Sequence, residues 1–258
     1  MIFRLEGSSV AEAPPVWSEE LRVRSYELDA KGRASALAVC NWLQEAAGNH
    51  ARALAWGVDQ LQAQGLTWVL SRLHLRLNRI PAWREPVTVT TWPAGAQRLH
   101  AVREFRISDE DGGEIGVATS GWLLVNLVSR RPVRLPETIA AIRAHAPARV
   151  LDDPFEKLPE LERAEHELSF VVRYSNLDMN RHANNVSVIA WALDAVPEEV
   201  LLESTLAEFE VDFRAEARYG DRITAQVCAP EPPAEIFLHR LVREDGREIA
   251  RARSRWRR

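Results

Sequence analysis

The sequence has little of several features that mark particular protein classes. Its only cysteines are Cys40 and Cys228, whose separation fits no metal-ligand motif, so neither a disulfide framework nor a metal site is expected. Proline and glycine are not enriched and 27% of the residues are charged, which excludes a disordered or fibrous chain. The formal net charge of -4 argues against general nucleic-acid binding, which normally needs a basic excess.

Long apolar runs are also missing, since no stretch approaches the roughly 18 residues that a membrane helix needs. The first residues, Met1–Glu6, lack the basic start and apolar run of a signal peptide. We therefore expect a cytoplasmic protein with no membrane span. Tryptophan, by contrast, is plentiful: nine in 258 residues indicate large apolar walls or cavities.

The chain contains an internal repeat. Val23–Ala46 aligns without a gap with Val172–Ala195, and eight of the 24 positions are identical. A second block, Asp111–Trp122, aligns with Asp245–Trp256 at seven of 12 positions. Because the blocks keep their order along the chain, they indicate a duplicated domain.

Each copy has the same predicted order of elements, in which a strand and a loop precede a strongly apolar helix. The helix of the first copy is predicted over 35–56, with Ser35 as its N-cap and Gly57 just past its end. The helix of the second copy begins after Asn184 or Asn185, which are also favourable N-caps. Helices that are apolar nearly all round are buried, so each is expected at the centre of its domain.

The strands that follow each helix alternate between apolar and polar residues, as in Leu73–Leu77 and Phe209–Phe213. Asp-Gly pairs at 111–112 and 245–246 predict hairpins between such strands. One buried helix wrapped by an antiparallel sheet is the hot-dog arrangement. The predicted fold class is therefore α+β, with two tandem hot-dog domains that pair as a hot-dog homodimer does.

A stretch with several prolines separates the two copies and predicts a linker. We expect an N-terminal domain over 1–135 and a linker over 136–164, with a short helix over 137–145. The C-terminal domain is expected over 165–258. Whether two chains associate further into a homodimer stays open.

The loops before the two helices differ in a way that points to chemistry. The second copy reads NLDMNRHANN over 176–185, and its Asp178 has an aspartate twin that suggests a role in holding the loop. Asn180 and His182 have no such twins. The corresponding residues of the first copy are Asp29, Lys31 and Arg33.

In an extended loop, Asp178, Asn180 and His182 would point to one side, towards the start of a buried helix. Free N–H groups there can hold a developing oxyanion, and a histidine can move protons near neutral pH. Glu216 is a second candidate, since its twin in the first copy is Ile80. The alternatives are a polar turn that merely leads into the helix and a surface glutamate in a loop.

The string LDMNRHANNV over 177–186, followed by Trp191, resembles the motif of acyl-acyl-carrier-protein (acyl-ACP) thioesterases. That family includes plant plastid enzymes and shorter bacterial relatives, and has two tandem hot-dog domains. The resemblance covers nearly the whole chain. It implies hydrolysis of fatty acyl-ACP to free fatty acid and holo-ACP without a cofactor.

The resemblance also implies the residue roles. The catalytic residues would be Asp178, Asn180, His182 and Glu216. Plant members carry a cysteine directly after this glutamate, whereas this chain has Ala217, so a cysteine nucleophile is not expected. Water activated by Glu216 and His182, or direct attack by Asp178 through an anhydride, both remain open.

The implied acyl tunnel lies in the first domain, and the alternative for its candidate residues is plain core. The candidate substrate-binding residues are Trp42, Trp56, Trp68, Leu70 and Asn184. The acidic carrier protein requires a basic docking patch. Its candidates alternate along the last strand, where a solvated edge strand is the alternative, and are Arg251, Arg253, Arg255 and Arg257.

Two other functions stay open on the sequence alone. One is a hydrolase of the same fold that prefers acyl-CoA, and the other is a hot-dog acyl-binding or hydratase protein without hydrolytic activity. The N-x-H-x-N-N string and Glu216 argue against the hydratase.

Overall fold

The computed structural model describes residues 14–137, 147–231 and 235–258. The first half contributes β1 (Trp17–Arg22), α1 (Ala36–Ala53), α2 (Val58–Gln62), β2 (Leu66–Leu77), β3 (Pro86–Gln97), β4 (His100–Ser108) and β5 (Glu114–Asn126). The second half contributes β6 (His166–Val171), α3 (Asn185–Asp194), α4 (Glu198–Glu203), β7 (Thr205–Phe213), β8 (Arg222–Cys228), β9 (Ile236–Arg243) and β10 (Glu248–Arg257). Of the short helix predicted over 137–145, only residue 137 is described. Among the described helices, none combines the length and apolar character needed to cross a membrane.

The described strands form one antiparallel sheet in the order β1-β3-β4-β5-β2-β7-β10-β9-β8-β6. The second five strands mirror the first five, because β2 and β7 occupy the centre and β1 and β6 the two edges. Both predicted Asp-Gly hairpins are present, between β4 and β5 and between β9 and β10. The predicted fold of two tandem hot-dog units is confirmed.

The two central helices begin where the sequence places them. Ser35 Oγ accepts a hydrogen bond from the Ala38 N–H at 3.1 Å, and Asn184 Oδ1 accepts one from the Ser187 N–H at 2.6 Å. Both N-caps are therefore confirmed, with Asn184 rather than Asn185 as the second cap.

The predicted end of the first helix is wrong. The helix ends at Ala53, Ala55 takes a left-handed backbone with φ 63°, and Gly57 caps the start of α2 instead. The chain turns early because Leu54 and Trp56 both bury against Leu124 in a small cluster beside the main core. That apolar burial outweighs the cost of the left-handed alanine.

One continuous core joins the two halves. The inner faces of α1 and α3 pack on the sheet with fully buried residues such as Val39 and Ile189. Alternating strand residues, including Leu75 of β2 and Phe209 of β7, complete the core from the sheet side. The two helices therefore share one sheet surface, which brings the loop before α3 next to the first half of the chain.

The outer face at the centre of the sheet is held together by charge. The outward residues of β2 are basic and those of β7 are acidic: Arg72, His74 and Arg76 against Glu208, Glu210 and Asp212. Arg72 lies 3.5 Å from Asp212, and His74 Nε2 lies 2.7 Å from Glu208. The two strands are twins in the repeat, so opposite charge at equivalent positions favours pairing of one half with the other.

Candidate active site

His182 and Glu216 form the centre of the candidate site. The Nε2 atom of His182 lies 3.1 Å from a carboxylate oxygen of Glu216. The segment before α3 and the segment after β7 are joined by a hydrogen bond from the Ala183 N–H to the Ala217 carbonyl at 2.8 Å. The His182 side chain is 16% exposed and that of Glu216 is 45% exposed, so a substrate can reach the pair.

Asp178 holds the loop that carries His182. One of its carboxylate oxygens accepts hydrogen bonds from the Asn180 N–H at 2.8 Å and the His182 N–H at 3.1 Å. In the first copy, Asp29 accepts the N–H groups of Lys31 at 2.9 Å and Arg33 at 3.0 Å in the same way. Asp29 makes these contacts in a copy that lacks the histidine. The role that the two aspartates share is therefore to hold the backbone of the loop.

Asn180 lies exposed beside this centre. In the part of the chain that the structure describes, no hydrogen bond joins its side chain to His182 or Glu216. The structure therefore brings together two of the four predicted catalytic side chains, and Asp178 contacts this loop as an acceptor of backbone N–H groups.

The equivalent place in the first copy carries no such centre. Arg33 donates a hydrogen bond to Thr205 Oγ1 at 3.2 Å, and Lys31 donates to the Ser204 carbonyl. Ile80, the twin of Glu216, packs against the core. This loop therefore serves as a contact between the two halves, and only the second copy presents an acid and a base to solvent.

Two arginines complete the surroundings of Glu216. Arg130, from the turn after β5, lies 3.6 Å from one carboxylate oxygen, and Arg218 lies 3.7 Å from the other. Both arginines are more than half exposed, so solvent screens their attraction. Sequence reasoning missed Arg130, because it belongs to the other half of the repeat and only the central strand pairing brings it here.

Neither cysteine is placed to act as a nucleophile. Burial raises the pKa of the Cys40 thiol, inside α1, to about 12. Burial, with the nearby Glu165 carboxylate, also raises the pKa of Cys228. A thiol with a raised pKa holds little thiolate at neutral pH, and the thiolate is the nucleophilic form.

A cavity of about 240 Å³ lies in the first half, between α1 and α2 on one side and β2 to β5 on the other. Trp56 and Trp68 line it, and Gln44 and Arg103 are its polar members. Most of the remaining wall is apolar, which suits a hydrocarbon chain.

The other predicted substrate-binding residues lie elsewhere. Trp42 is core, and its indole N–H donates to Glu27 at 2.8 Å. Leu70 borders a separate space of about 10 Å³. The Asn184 side chain caps α3, because it accepts a hydrogen bond from the Ser187 N–H, which would otherwise have no partner in the first turn of the helix.

One hydrogen bond joins a residue of the cavity wall to the first residue of α3. Gln44, on the cavity wall, accepts from the Asn185 side chain at 3.1 Å. Asn185 is the first residue of α3 and closely follows His182. This hydrogen bond therefore links the wall of the cavity to the helix that follows the candidate site.

Three of the four arginines of the predicted basic stripe on β10 are engaged in ion pairs. Arg251 is 5% exposed, donates to Glu248 at 2.8 Å and bonds to the Leu158 carbonyl at 3.0 Å. Arg253 pairs with Glu210 at 2.8 Å. Arg255 lies 3.4 Å from Glu208, whereas Arg257 donates to the backbone carbonyl of Asn78.

The alternative of a solvated edge strand is wrong, because β10 lies between β7 and β9. The inward residues Ala252, Ser254 and Trp256 are buried, as their alternation predicts. The outward arginines pair with the acidic residues of β7 and with the linker, so the stripe does not form a free basic patch.

A second polar cluster lies on the outer sheet face, where His74, Asp153 and Glu210 offer three possible metal-ligand atoms within 4.8 Å of one another. The two ring nitrogens of His74 already lie 2.8 Å from Asp153 and 2.7 Å from Glu208. Burial alone would lower the pKa of His74, but these two carboxylates raise it to about 9. An imidazolium that donates to both carboxylates has no lone pair for a metal, so the cluster serves to fasten the linker to the sheet.

Comparison with known proteins finds similar chains that cover nearly all of this sequence. The model of the acyl-ACP thioesterase N-terminal domain matches residues 14–143, and that of the C-terminal domain matches residues 160–258. A chloroplastic acyl-[acyl-carrier-protein] hydrolase of Cuphea viscosissima is 32% identical over 94% of this chain and 63% of its own length. A chloroplastic oleoyl-acyl carrier protein thioesterase 2 of Arabidopsis thaliana is 31% identical over 93% of this chain and 76% of its own.

Solved structures give the same result. A crystal structure of an acyl-ACP thioesterase from Bacteroides thetaiotaomicron superposes with a TM-score of 0.85 at 25% identity, covering 97% of this chain and 100% of its own. The 12:0-ACP thioesterase from Umbellularia californica has a TM-score of 0.84 at 26% identity, with 99% of each chain covered. The chain spans less than two thirds of the Cuphea relative but nearly all of each solved structure. On the two domain matches and the Arabidopsis relative, the chain belongs to the acyl-ACP thioesterase family.

Proposed function

We propose that this protein hydrolyses the thioester of fatty acyl-ACP to a free fatty acid and the thiol of the carrier. One observation carries the proposal: His182 and Glu216 meet at 3.1 Å in the second copy, where the first copy has Arg33 and Ile80. The neighbouring apolar cavity and the names of the relatives support the substrate class. In this proposal the first domain, 1–135, takes up the acyl chain and the second, 165–258, performs the chemistry.

The proposed reaction uses water as the nucleophile. Glu216 and His182 hold a water molecule, whose oxygen attacks the thioester carbonyl carbon while its proton passes to the pair. The carbon–sulfur bond then breaks, and the pair returns the proton to the leaving thiolate. Asn180, exposed at the rim, orients the water or the carbonyl.

The start of α3 provides a place for the oxyanion. A helix leaves its first N–H groups without intrahelical partners, and the Asn184 side chain satisfies only that of Ser187. The N–H groups of Asn185 and Val186 remain to stabilise the negative charge on the carbonyl oxygen.

The contacts of Asp178 favour water over an anhydride. Its bonded oxygen is engaged by two backbone N–H groups, as is that of Asp29 in the copy without a histidine. A single turnover in oxygen-18 water distinguishes the two routes. Label in the fatty acid alone supports attack by water, whereas label in the Asp178 side chain supports the anhydride and contradicts this proposal.

We also propose that the carrier docks beside the site rather than on β10. Arg130, Arg131 and Arg181 are exposed and lie on the two loops that carry or flank the His182 and Glu216 pair. Neutralising Arg131 and Arg181 together should raise KM for the carrier-linked substrate about fivefold per charge, an effect of ~1 kcal/mol each that added salt abolishes. The matched double variant Arg253→Gln with Arg255→Gln should leave KM unchanged; the reverse outcome would return docking to β10.

Thiol release from matched acyl-ACP and acyl-CoA substrates tests the function itself. Wild type should release thiol from acyl-ACP, and His182→Ala should be at least about 100-fold slower, as expected for loss of acid–base catalysis. A preference for acyl-CoA would support the CoA hydrolase instead. Folded protein that hydrolyses neither substrate would favour the acyl-binding or hydratase function.

A further inference from the structure

Gln44 of α1 is a polar residue between the apolar cavity and the start of α3. It lines the cavity of about 240 Å³ and also borders the separate space of about 10 Å³. Its side-chain carbonyl accepts a hydrogen bond from the Asn185 side chain at 3.1 Å, and Asn185 is the first residue of α3. The first half of the chain therefore places an amide group next to the helix that follows His182.

The contact with Asn185 leaves the Nε2 group of Gln44 available. A glutamine side chain has one carbonyl oxygen and two N–H donors, and this contact uses only the oxygen. Within 14–137, 147–231 and 235–258, no residue accepts a hydrogen bond from Gln44 Nε2, and the residue is only half-buried. Because Gln44 lines the cavity, its two donors are available to a ligand that enters there.

The second copy shows that the fold does not require this polar contact. At the offset of the repeat, Gln44 corresponds to Leu193 and Asn185 corresponds to Ala36. Both twins are apolar and pack in the main core, where Leu193 is buried. The amide contact therefore occurs once, at the helix that follows His182, and has no polar equivalent in the repeat.

The surroundings of Gln44 match the polar end of an acyl substrate. The first turn of α3 has the N–H groups of Asn185 and Val186, which receive the carbonyl oxygen in the proposed reaction. Ala47 and Ala51 lie further along α1 and continue the apolar wall of the cavity away from Gln44. A molecule with an apolar chain and a carbonyl group at one end therefore fits this arrangement, with its carbonyl at Gln44.

We propose that Gln44 donates a hydrogen bond to the carbonyl oxygen of the bound thioester, so that both halves of the chain contribute to the catalytic centre. This inference rests on the proposed thioesterase function. Asn185 holds the Gln44 amide in place, and the Nε2 donor stabilises the negative charge that develops on the carbonyl oxygen as water attacks the carbon. When the carbon–sulfur bond breaks, the carbonyl re-forms, and Gln44 itself exchanges no proton.

Two substitutions distinguish a donor from a residue that only holds Asn185. Gln44→Leu introduces the residue of the second copy, whereas Gln44→Glu keeps an acceptor for Asn185 but offers no donor once ionised. Both variants should lower kcat for acyl-ACP about 10²- to 10³-fold with little change in KM, as expected for loss of one oxyanion donor. Asn41→Leu, at an exposed position of the same helix, is the matched control and should retain kcat. Retention of kcat by either Gln44 variant, with folding verified by circular dichroism, would overturn the proposal.

A binding measurement separates this inference from the proposed reaction. Two non-hydrolysable analogues of acyl-ACP are titrated by calorimetry into wild type, Gln44→Leu and Asn41→Leu. One is a ketone, in which a methylene group replaces the sulfur, and the other lacks the carbonyl oxygen as well.

Wild type and Asn41→Leu should bind the ketone about fivefold more tightly than the other analogue, as expected for one hydrogen bond. Loss of most of this preference in Gln44→Leu supports the inference even if no thioester is cleaved. Equal binding of the two analogues to folded wild type, or a ketone preference that is unchanged in Gln44→Leu, overturns it even if thioesters are cleaved.

Discussion

The two loops that precede the central helices have the same backbone and different chemistry. In both, an aspartate accepts two N–H groups, and a capping side chain starts the helix. The loop of the first copy then uses Lys31 and Arg33 to contact the second half, while the other loop presents His182 to Glu216. The comparison indicates that residues common to both copies serve the fold, whereas residues found in one copy serve the pairing of the halves or, as we propose, the reaction.

The strongest test of this comparison replaces the two side chains that we propose to be catalytic with neutral amides. His182→Gln or Glu216→Gln should each lower kcat 10²- to 10⁴-fold, because each removes a group that moves a proton. The double variant should be little worse than either single one, since the two residues act as a unit. Arg33→Gln, the twin of His182→Gln, should retain kcat in the same thiol-release assay. A comparable loss of kcat in this variant would contradict the conclusion that the two loops have different roles.

The aspartates provide the second test. Asp29→Ala and Asp178→Ala should each lower the free energy of unfolding by about 1–3 kcal/mol, because each leaves two backbone N–H groups without their acceptor. Urea denaturation measures this effect, and only Asp178→Ala should also lower kcat. Asp178→Asn retains an acceptor oxygen and should keep most activity; complete inactivity of the folded asparagine variant would indicate a nucleophilic carboxylate.

The junction between the halves predicts a pH dependence. Because the folded pKa of His74 is raised to about 9, its contribution to stability is full below the unfolded pKa near 6.5 and is lost as pH rises through 9. The free energy of unfolding should therefore fall by roughly 1–2 kcal/mol across this window. His74→Gln should flatten this part of the profile, whereas His166→Gln, at an exposed position, should not.

The smallest expected effect comes from one turn residue in each loop. Gly32 and Arg181 occupy equivalent left-handed conformations, with φ of 73° and 61°. Gly32→Ala should destabilise the protein by about 1 kcal/mol, since a side chain disfavours this conformation. Arg181→Gly should stabilise it by less than ~1 kcal/mol, because relief of strain is partly offset by greater freedom of the unfolded chain. Thermal melts measure both effects. Stabilisation by Gly32→Ala together with destabilisation by Arg181→Gly would contradict the equivalence of the loops.

Much of the architecture could be predicted from residue patterns. The caps Ser35 and Asn184, the two hairpins and the burial of Trp256 all depend on neighbours in the sequence and on the two-residue period of strands. The end of the first helix could not be predicted in this way. Gly57 has the residue type of a helix terminator, but the burial of Leu54 and Trp56 against a distant strand decided where the chain turns.

The sequence by itself determined the duplication, the fold class and the candidate loop, because a repeat carries its own internal comparison. Only the tertiary structure brought Glu216 to His182 and placed Arg130 beside them. It also showed that three of the four arginines of β10 are engaged by acidic residues of a neighbouring strand and the linker. Such contacts join residues far apart in the chain, and whether a charge is free or paired depends on which strand lies beside it.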